Sequence, residues 1–117
     1  MRVEAVRLTG PIEDSAFQKG LVVLPDQERE KVSRYRQKPD RDRALVSALL
    51  ARAMAAEANG AALAHMRMER TAYGKPFFPD WPEYHFNVAH SGEWVVCVAA
   101  DCPVGSMWSR FARSMPV

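Results

Sequence analysis

Apolar and polar positions fall into two regimes along the chain. The N-terminal half shows helical spacing and the C-terminal half shows alternation. The stretch Arg2 to Leu8 mixes Val3, Ala5, Val6 and Leu8 with charges and predicts a short strand, ended by Gly10-Pro11. From Pro25 to Gln37 the chain is highly charged. Asp26 is placed to cap a helix, with acids in its first turn and Arg34 and Arg36 near its end, the order the helix dipole favours. Pro39 breaks that helix. A second helix is predicted from about Asp40 to Ala58, where Ala44, Leu45, Ala48, Leu49, Arg52, Ala55 and Ala56 recur at helical spacing and Asn59-Gly60 is a stop. Beyond it, Met66 to Arg70 alternates, Tyr73-Gly74-Lys75-Pro76 is a turn, and Pro79 to Pro82 is loop. Tyr84 to Ala89 alternates again, with His85, Asn87 and Ala89 on one face and Tyr84, Phe86 and Val88 on the other. His90-Ser91-Gly92 breaks that strand. Trp94 to Ala100 is a continuous apolar run and predicts a buried strand. Strand, helices, then strands is an α+β order, with the helix over 40–58 at the core.

Composition narrows the function classes. The chain has 117 residues, enough for one small domain, and 48% hydrophobic with 26% charged residues is ordinary for a globular protein. Sixteen Lys+Arg against fourteen Asp+Glu leave a net charge of +2, which offers no argument for a general nucleic-acid or membrane binder. Arginine supplies twelve of the sixteen cations, so forked, planar donors predominate. No apolar run reaches membrane-span length, and MRVEAVRLTG lacks the apolar core of a signal peptide, so the expected location is cytoplasmic. Cys97 and Cys102 are too few for a disulfide framework and are expected as thiols.

Three local constellations point to anion chemistry, each with a plainer structural alternative. In FNVAHSGEW, Gly92 permits a sharp turn whose N–H groups could cradle an anion, and His90 at a strand end could meet a phosphate or move a proton. In YGKP, Lys75 sits on a turn held by Gly74 and Pro76. The run Lys31, Arg34, Arg36, Lys38, Arg41, Arg43, interleaved with Asp40 and Asp42, could hold phosphates or be a solvated helix face. A zinc site from His85, His90, Cys97 and Cys102 lacks a recognised spacing. A Ser91–His90 nucleophile pair lacks the elbow such a serine needs.

Jointly, REKVSRYRQKPDRDRALVSALLAR followed by YGKPFFPDWPEYHFNVAHSGEWVVCVAADCPVG resembles the N-terminal half of the 4′-phosphopantetheinyl transferases of the broad-specificity, surfactin-synthetase-activating type, over about residues 1–105. The resemblance implies one half of a pseudo-twofold molecule, an antiparallel sheet packed on a long helix, with coenzyme A in the cleft between halves. The family moves the phosphopantetheine arm of coenzyme A onto a serine of an acyl or peptidyl carrier protein, with Mg²⁺ and cations neutralising the phosphates. By position, Lys31 and Arg43 are expected to contact coenzyme A phosphates. Tyr73, Gly74 and Lys75 would hold the adenine and phosphate region. His90 would contact a phosphate, with Ser91 and Gly92 shaping the loop. Two positions depart from the family: one often basic is Glu28, and one often serine is Ala89.

A larger departure follows Gly105. The family carries its metal carboxylates there in a G-[IV]-D-[IV]-E strand, and a further carboxylate and a lysine in a W-x-x-K-E-x-x-x-K helix of the second half. This chain has Met107 and Ser109 at the two carboxylate positions, neither a ligand for a hard cation, and contains no such helix. Gly-Ser-Met-Trp-Ser can be encoded GGG-TCG-ATG-TGG-AGC, and the same bases read from the third position give Val-Asp-Val-Glu. Residues 106–117 are therefore expected to be an out-of-frame tail, and the chain to be a truncated half that is inactive alone and binds Mg²⁺ poorly. A noncatalytic coenzyme A- or phosphate-binding fragment that self-associates through its exposed lobe face is the alternative. A complete small transferase of the trimeric acyl-carrier-protein-synthase type would need D-x-E near its start and a K-E-x-x-x-K helix mid-chain, and neither is present. Sequencing the locus through codon 105 is expected to reveal the carboxylate strand and the W-x-x-K-E helix in another frame; their absence from every frame would contradict the frameshift.

Overall fold

The computed structural model describes residues 1–63 and 66–100. Its elements in chain order are β1 (Arg2–Arg7), α1 (Asp14–Val23), α2 (Asp26–Ser33), α3 (Lys38–Asn59), β2 (Glu69–Arg70), β3 (Pro76–Phe77), β4 (His85–Ser91) and β5 (Trp94–Ala100). The class is α+β, as expected. Gly105, Cys102 and the expected tail 106–117, with Met107 and Ser109, lie outside the described residues.

The apolar run of β5 takes the centre of a three-stranded antiparallel sheet ordered β1-β5-β4. A central strand is covered on both faces, and this one needs apolar residues at every position to be so. Register sets the faces: Phe86 lies opposite Ala99, Val88 opposite Cys97 and His90 opposite Val95. Val95, Cys97 and Ala99 therefore share a cluster with Phe86 and with Leu50, Ala51, Met54 and Ala55 of α3. Val96 and Val98 project to the other face, beside Val3, Trp94 and Ala100. The β4–β5 hairpin closes through Gly92-Glu93, since Ser91 pairs with Trp94. Gly92 has φ 58°, and a glycine with positive φ leading a two-residue turn gives the strand twist a hairpin requires.

Helix α3 belongs to two clusters. Its Leu50–Ala55 side faces the sheet, where small Ala51 and Ala55 allow close approach. Leu45, with Ala44, Ala48 and Leu49, meets Phe17, Leu21 and Leu24 from α1 and its end, and Val32 of α2. Gly20 makes the α1–α3 contact possible: a Cβ there would stand 3.1 Å from Leu45 Cδ2 and 3.1 Å from Leu49 Cδ1. Gly60, at φ 65°, stops α3 as its Asn-Gly signal predicts.

Several local expectations shift. The pattern assigned nothing to Asp14–Val23, yet Phe17, Leu21 and Leu24 carry i, i+4, i+7 spacing and form a helix once α3 offers them a surface. Asp26 is the first residue of α2 rather than its cap. Pro25 takes the cap position without a side-chain bond, and the helix ends at Ser33, short of Gln37. Pro39 falls within the first turn of α3, where its missing N–H costs nothing, so it starts one helix rather than only ending another. Of Met66–Arg70, only Glu69–Arg70 forms ladder, with Pro76–Phe77 as partner. His90 and Ser91 continue β4 instead of breaking it. His85 and Cys97 project to opposite faces of the sheet, which separates two members of the zinc set considered above.

The sheet-side core carries two weak acids. Burial pushes the Cys97 thiol from its ordinary value up to about 12, and the Tyr84 phenol up to about 12. Both bind their proton more tightly folded than unfolded, so they stabilise the fold below the unfolded values and lose that contribution as pH rises through the folded ones. Unfolding free energy from denaturant titration is expected to fall between about pH 9 and 12, and more gently in Tyr84→Phe. A flat profile across that window would contradict the burial assigned to both groups.

Candidate functional site

A cavity of about 350 Å³ opens between α2, α3 and the ends of β2 and β4. Its floor is apolar, from Val32, Ala48, Ala51, Phe86 and Val88. Its rim is charged, from Glu28, Lys31, Asp40, Arg43, Arg70 and His90. A second cavity of about 550 Å³ continues past Glu28, Lys31, Met68 and Arg70 to Gln27 and Glu69. The helices supply the cations for a simple reason. The inner faces of α2 and α3 are committed to the clusters around Val32 and Leu45, which turns Lys31 and Arg43 toward the open edge.

The basic run divides into structural and available members. Lys38 Nζ lies 3.1 Å from Asp42 Oδ1 and 5.2 Å from the centre of the Phe17 ring, while Ile12 N–H donates to Asp42 Oδ2 at 3.0 Å. Together these contacts satisfy a buried carboxylate and pin the segment before α1 onto α3. Arg41 donates to the carbonyls of Tyr35 and Arg36 and closes the α2–α3 loop. Arg43 pairs with Asp40, one turn earlier on α3. Among the described residues Lys31 makes no ion pair. Loss of water around its ammonium lowers its pKa, the nearby Arg70 adds to that, and Glu28 opposes it.

Glu28 has a structural explanation. Its carboxylate takes an ion pair from Arg52, a residue of α3 only 1% exposed, whose Nη1 also donates to the Met66 carbonyl at 2.7 Å. A buried guanidinium demands an anion, and Glu28 supplies it while fixing α2 against α3 and the chain entering β2. The apolar stripe on α3 includes Arg52, and spacing alone does not reveal that its head needs a partner from α2. Arg70 was likewise missed, although it stands five residues before Lys75 on a stretch already read as strand.

The expected site residues do not all converge. Lys31, Arg43 and His90 line the cavity together. Tyr73, Gly74 and Lys75 form the β2–β3 turn, and Tyr73 is 99% exposed. That turn is internally braced: Thr71 N–H donates to the Lys75 carbonyl at 2.8 Å, and Lys75 N–H donates to Thr71 Oγ1 at 3.1 Å. It reaches the cavity only through its neighbours Arg70 and Pro76. Ser91 shares the sheet face of Trp94, and Gly92 is an exposed hairpin residue, so neither lines the cavity. Among the described residues no group of three or more His, Cys, Asp and Glu is placed to hold a metal. The two cavity acids, Glu28 and Asp40, are each taken by an arginine, a donor set that does not suit a hard dication.

The Glu28–Arg52 pair makes a sharp prediction. Glu28→Ala leaves an uncompensated charge in the core and is expected to lower stability by about 3 kcal/mol, with Arg52→Met, Glu28→Gln recovering much of it. Denaturant unfolding checks this, and a loss below about 0.5 kcal/mol, the level of an ordinary surface substitution, would contradict a buried pair.

Comparison with known proteins bears on what this cavity serves. The family model for the N-terminal region of 4′-phosphopantetheinyl transferase matches residues 11–102. A 4′-phosphopantetheinyl transferase of Bacillus subtilis is 33% identical over 105 residues, covering 90% of this chain and 47% of that protein. The transferase Sfp of Bacillus subtilis strain 168 is 30% identical over the same shares. A phosphopantetheinyl transferase of Thraustochytrium is 44% identical over 75 residues, covering 62% of this chain and 26% of that protein. The chain thus spans about half the length of the Bacillus relatives it matches. With its α+β architecture and a match across most of its length, the chain belongs to the 4′-phosphopantetheinyl transferase family and corresponds to its N-terminal region.

Proposed function

We propose that this chain is the lobe that receives coenzyme A phosphates in a transferase moving the 4′-phosphopantetheine arm of coenzyme A onto a serine of an acyl or peptidyl carrier protein. One observation carries this: Lys31, Arg43 and His90, from three separate elements, meet at the rim of one cavity with an apolar floor. In the transfer the serine oxygen–phosphorus bond forms as the phosphoanhydride bond of coenzyme A breaks, and the nucleotide half leaves with its negative charge. Cations fixed around those phosphates stabilise that charge in place. Lys31 contributes a compact ammonium, Arg43 a planar fork oriented by Asp40, and His90 an imidazole at the rim.

The Mg²⁺ that the family resemblance implies does not fit the described acids, of which Glu28 and Asp40 are each paired with an arginine. Met107 and Ser109 stand where carboxylates would serve it, so the chain by itself is proposed to bind coenzyme A without completing transfer. The pseudo-twofold partner lobe and the carrier-protein surface belong to the same proposal.

Calorimetric titration of the full chain with coenzyme A is expected to show saturable binding, about tenfold weaker in Lys31→Ala, the loss anticipated for one charge-assisted contact. Incubation with coenzyme A, Mg²⁺ and an apo carrier protein is expected to give no holo product. Absence of coenzyme A binding would overturn the binding role, and measurable turnover would overturn the inactivity.

A further inference from the structure

The two cavities share the segment between Lys31 and Arg70, and no relative's name or matched motif assigns Arg70 a role. We propose that Arg70 is a phosphate-binding residue of this site, forming with Lys31 a two-cation clamp for a terminal phosphate group, and that the Tyr73-Gly74-Lys75 turn serves the site by holding Arg70.

Arg70 lines both cavities, as does Lys31, so the two cations, one from β2 and one from α2, border the same space. Their mutual repulsion is felt at Lys31, whose protonated form Arg70 disfavours. Such repulsion is relieved when an anion enters between them. The nearby acids do not cancel the pair. Glu28 is taken by Arg52 and Asp40 by Arg43; of the acids that line the two cavities, Glu69 is the one without an ion pair among the described residues.

The guanidinium is also oriented. Arg70 Nη1 donates to the Gly74 carbonyl at 2.9 Å, and Gly74 N–H donates to the Thr71 carbonyl at 2.9 Å within the braced turn. One of five N–H donors is thereby committed and four remain for a ligand. Gly74 has φ 83°, a conformation costly for any other residue, so the carbonyl that holds Arg70 depends on glycine at that position. This accounts for how a turn whose own side chains point away from the cavity still bears on it. A lysine and a forked arginine lining one cavity suit a multiply charged oxyanion such as a phosphate monoester or the end of a pyrophosphate.

This inference rests on the coenzyme A reading for its ligand, so two probes separate them: coenzyme A and inorganic pyrophosphate, each titrated into the full chain. Arg70→Gln is expected to weaken both about tenfold, with Arg70→Lys between it and wild type, because charge without the fork recovers part of the contact. Arg70 is exposed and its side-chain hydrogen bond is to a surface turn, so circular dichroism and melting are expected to match wild type. Should Arg70→Gln alter the melt, the comparison passes to Arg70→Lys and Gly74→Ala, both expected to bind more weakly than wild type. Pyrophosphate binding that needs Arg70, without coenzyme A binding, keeps the clamp and overturns the coenzyme A reading. Coenzyme A binding unchanged by Arg70→Gln overturns the clamp alone. Binding of neither probe overturns both.

Discussion

The buried guanidinium of Arg52 constrains everything around the cavity. It sits on the helix that forms the core, at a position 1% exposed, and neither the sheet nor the apolar cluster offers it an anion. Glu28 reaches in from α2 and the Met66 carbonyl from the chain that becomes β2. Three segments distant in sequence are thus tied at one charged point, and the cations that face the cavity, Lys31 and Arg70, stand three and four residues from two of those ties. A buried ion pair is a weak source of net stability because desolvation cancels much of its attraction. Its value here is positional: an apolar residue at 52 could pack as well, yet would leave α2 and β2 free to choose other distances.

This tie also reinterprets a departure from the family. Position 28, often basic in the family, carries a carboxylate in this chain. In the structure that carboxylate is already neutralised from behind, so it does not repel an anion as a bare acid would. Arg70, from β2, brings a positive charge to the lining of the same cavities.

The legible parts were those whose signal is local. Trp94–Ala100 is apolar at every position because the central strand of a sheet is covered on both faces, and helix α3 ends at the Asn-Gly that marked its stop. Lys31, Arg43 and His90, singled out by motif position, all line one cavity, and their part in binding belongs to the proposal. What stayed hidden depends on partners elsewhere in the chain. Helix α1 is short, and its apolar residues Phe17 and Leu21 pack against Leu45 and Leu49 of α3, a partner that local spacing does not reveal. Arg52 reads as part of a helical stripe, and its need for Glu28 is invisible until α2 is placed. The YGKP turn is recognisable as a turn, but spacing alone does not show that its Gly74 carbonyl accepts from Arg70, a residue of the cavity lining.

One cavity, bounded by α2, α3, β2 and β4, is proposed to receive the phosphates of coenzyme A. The most direct measurement is a series of ¹H–¹⁵N correlation spectra of the labelled chain during addition of coenzyme A. Shifts are expected to concentrate at Lys31, Arg43, Arg70 and the Val88–His90 stretch, leaving α1 and the Val3–Val96–Val98 face of the sheet unmoved. Shifts centred on that opposite face, or none at saturating ligand, would contradict it.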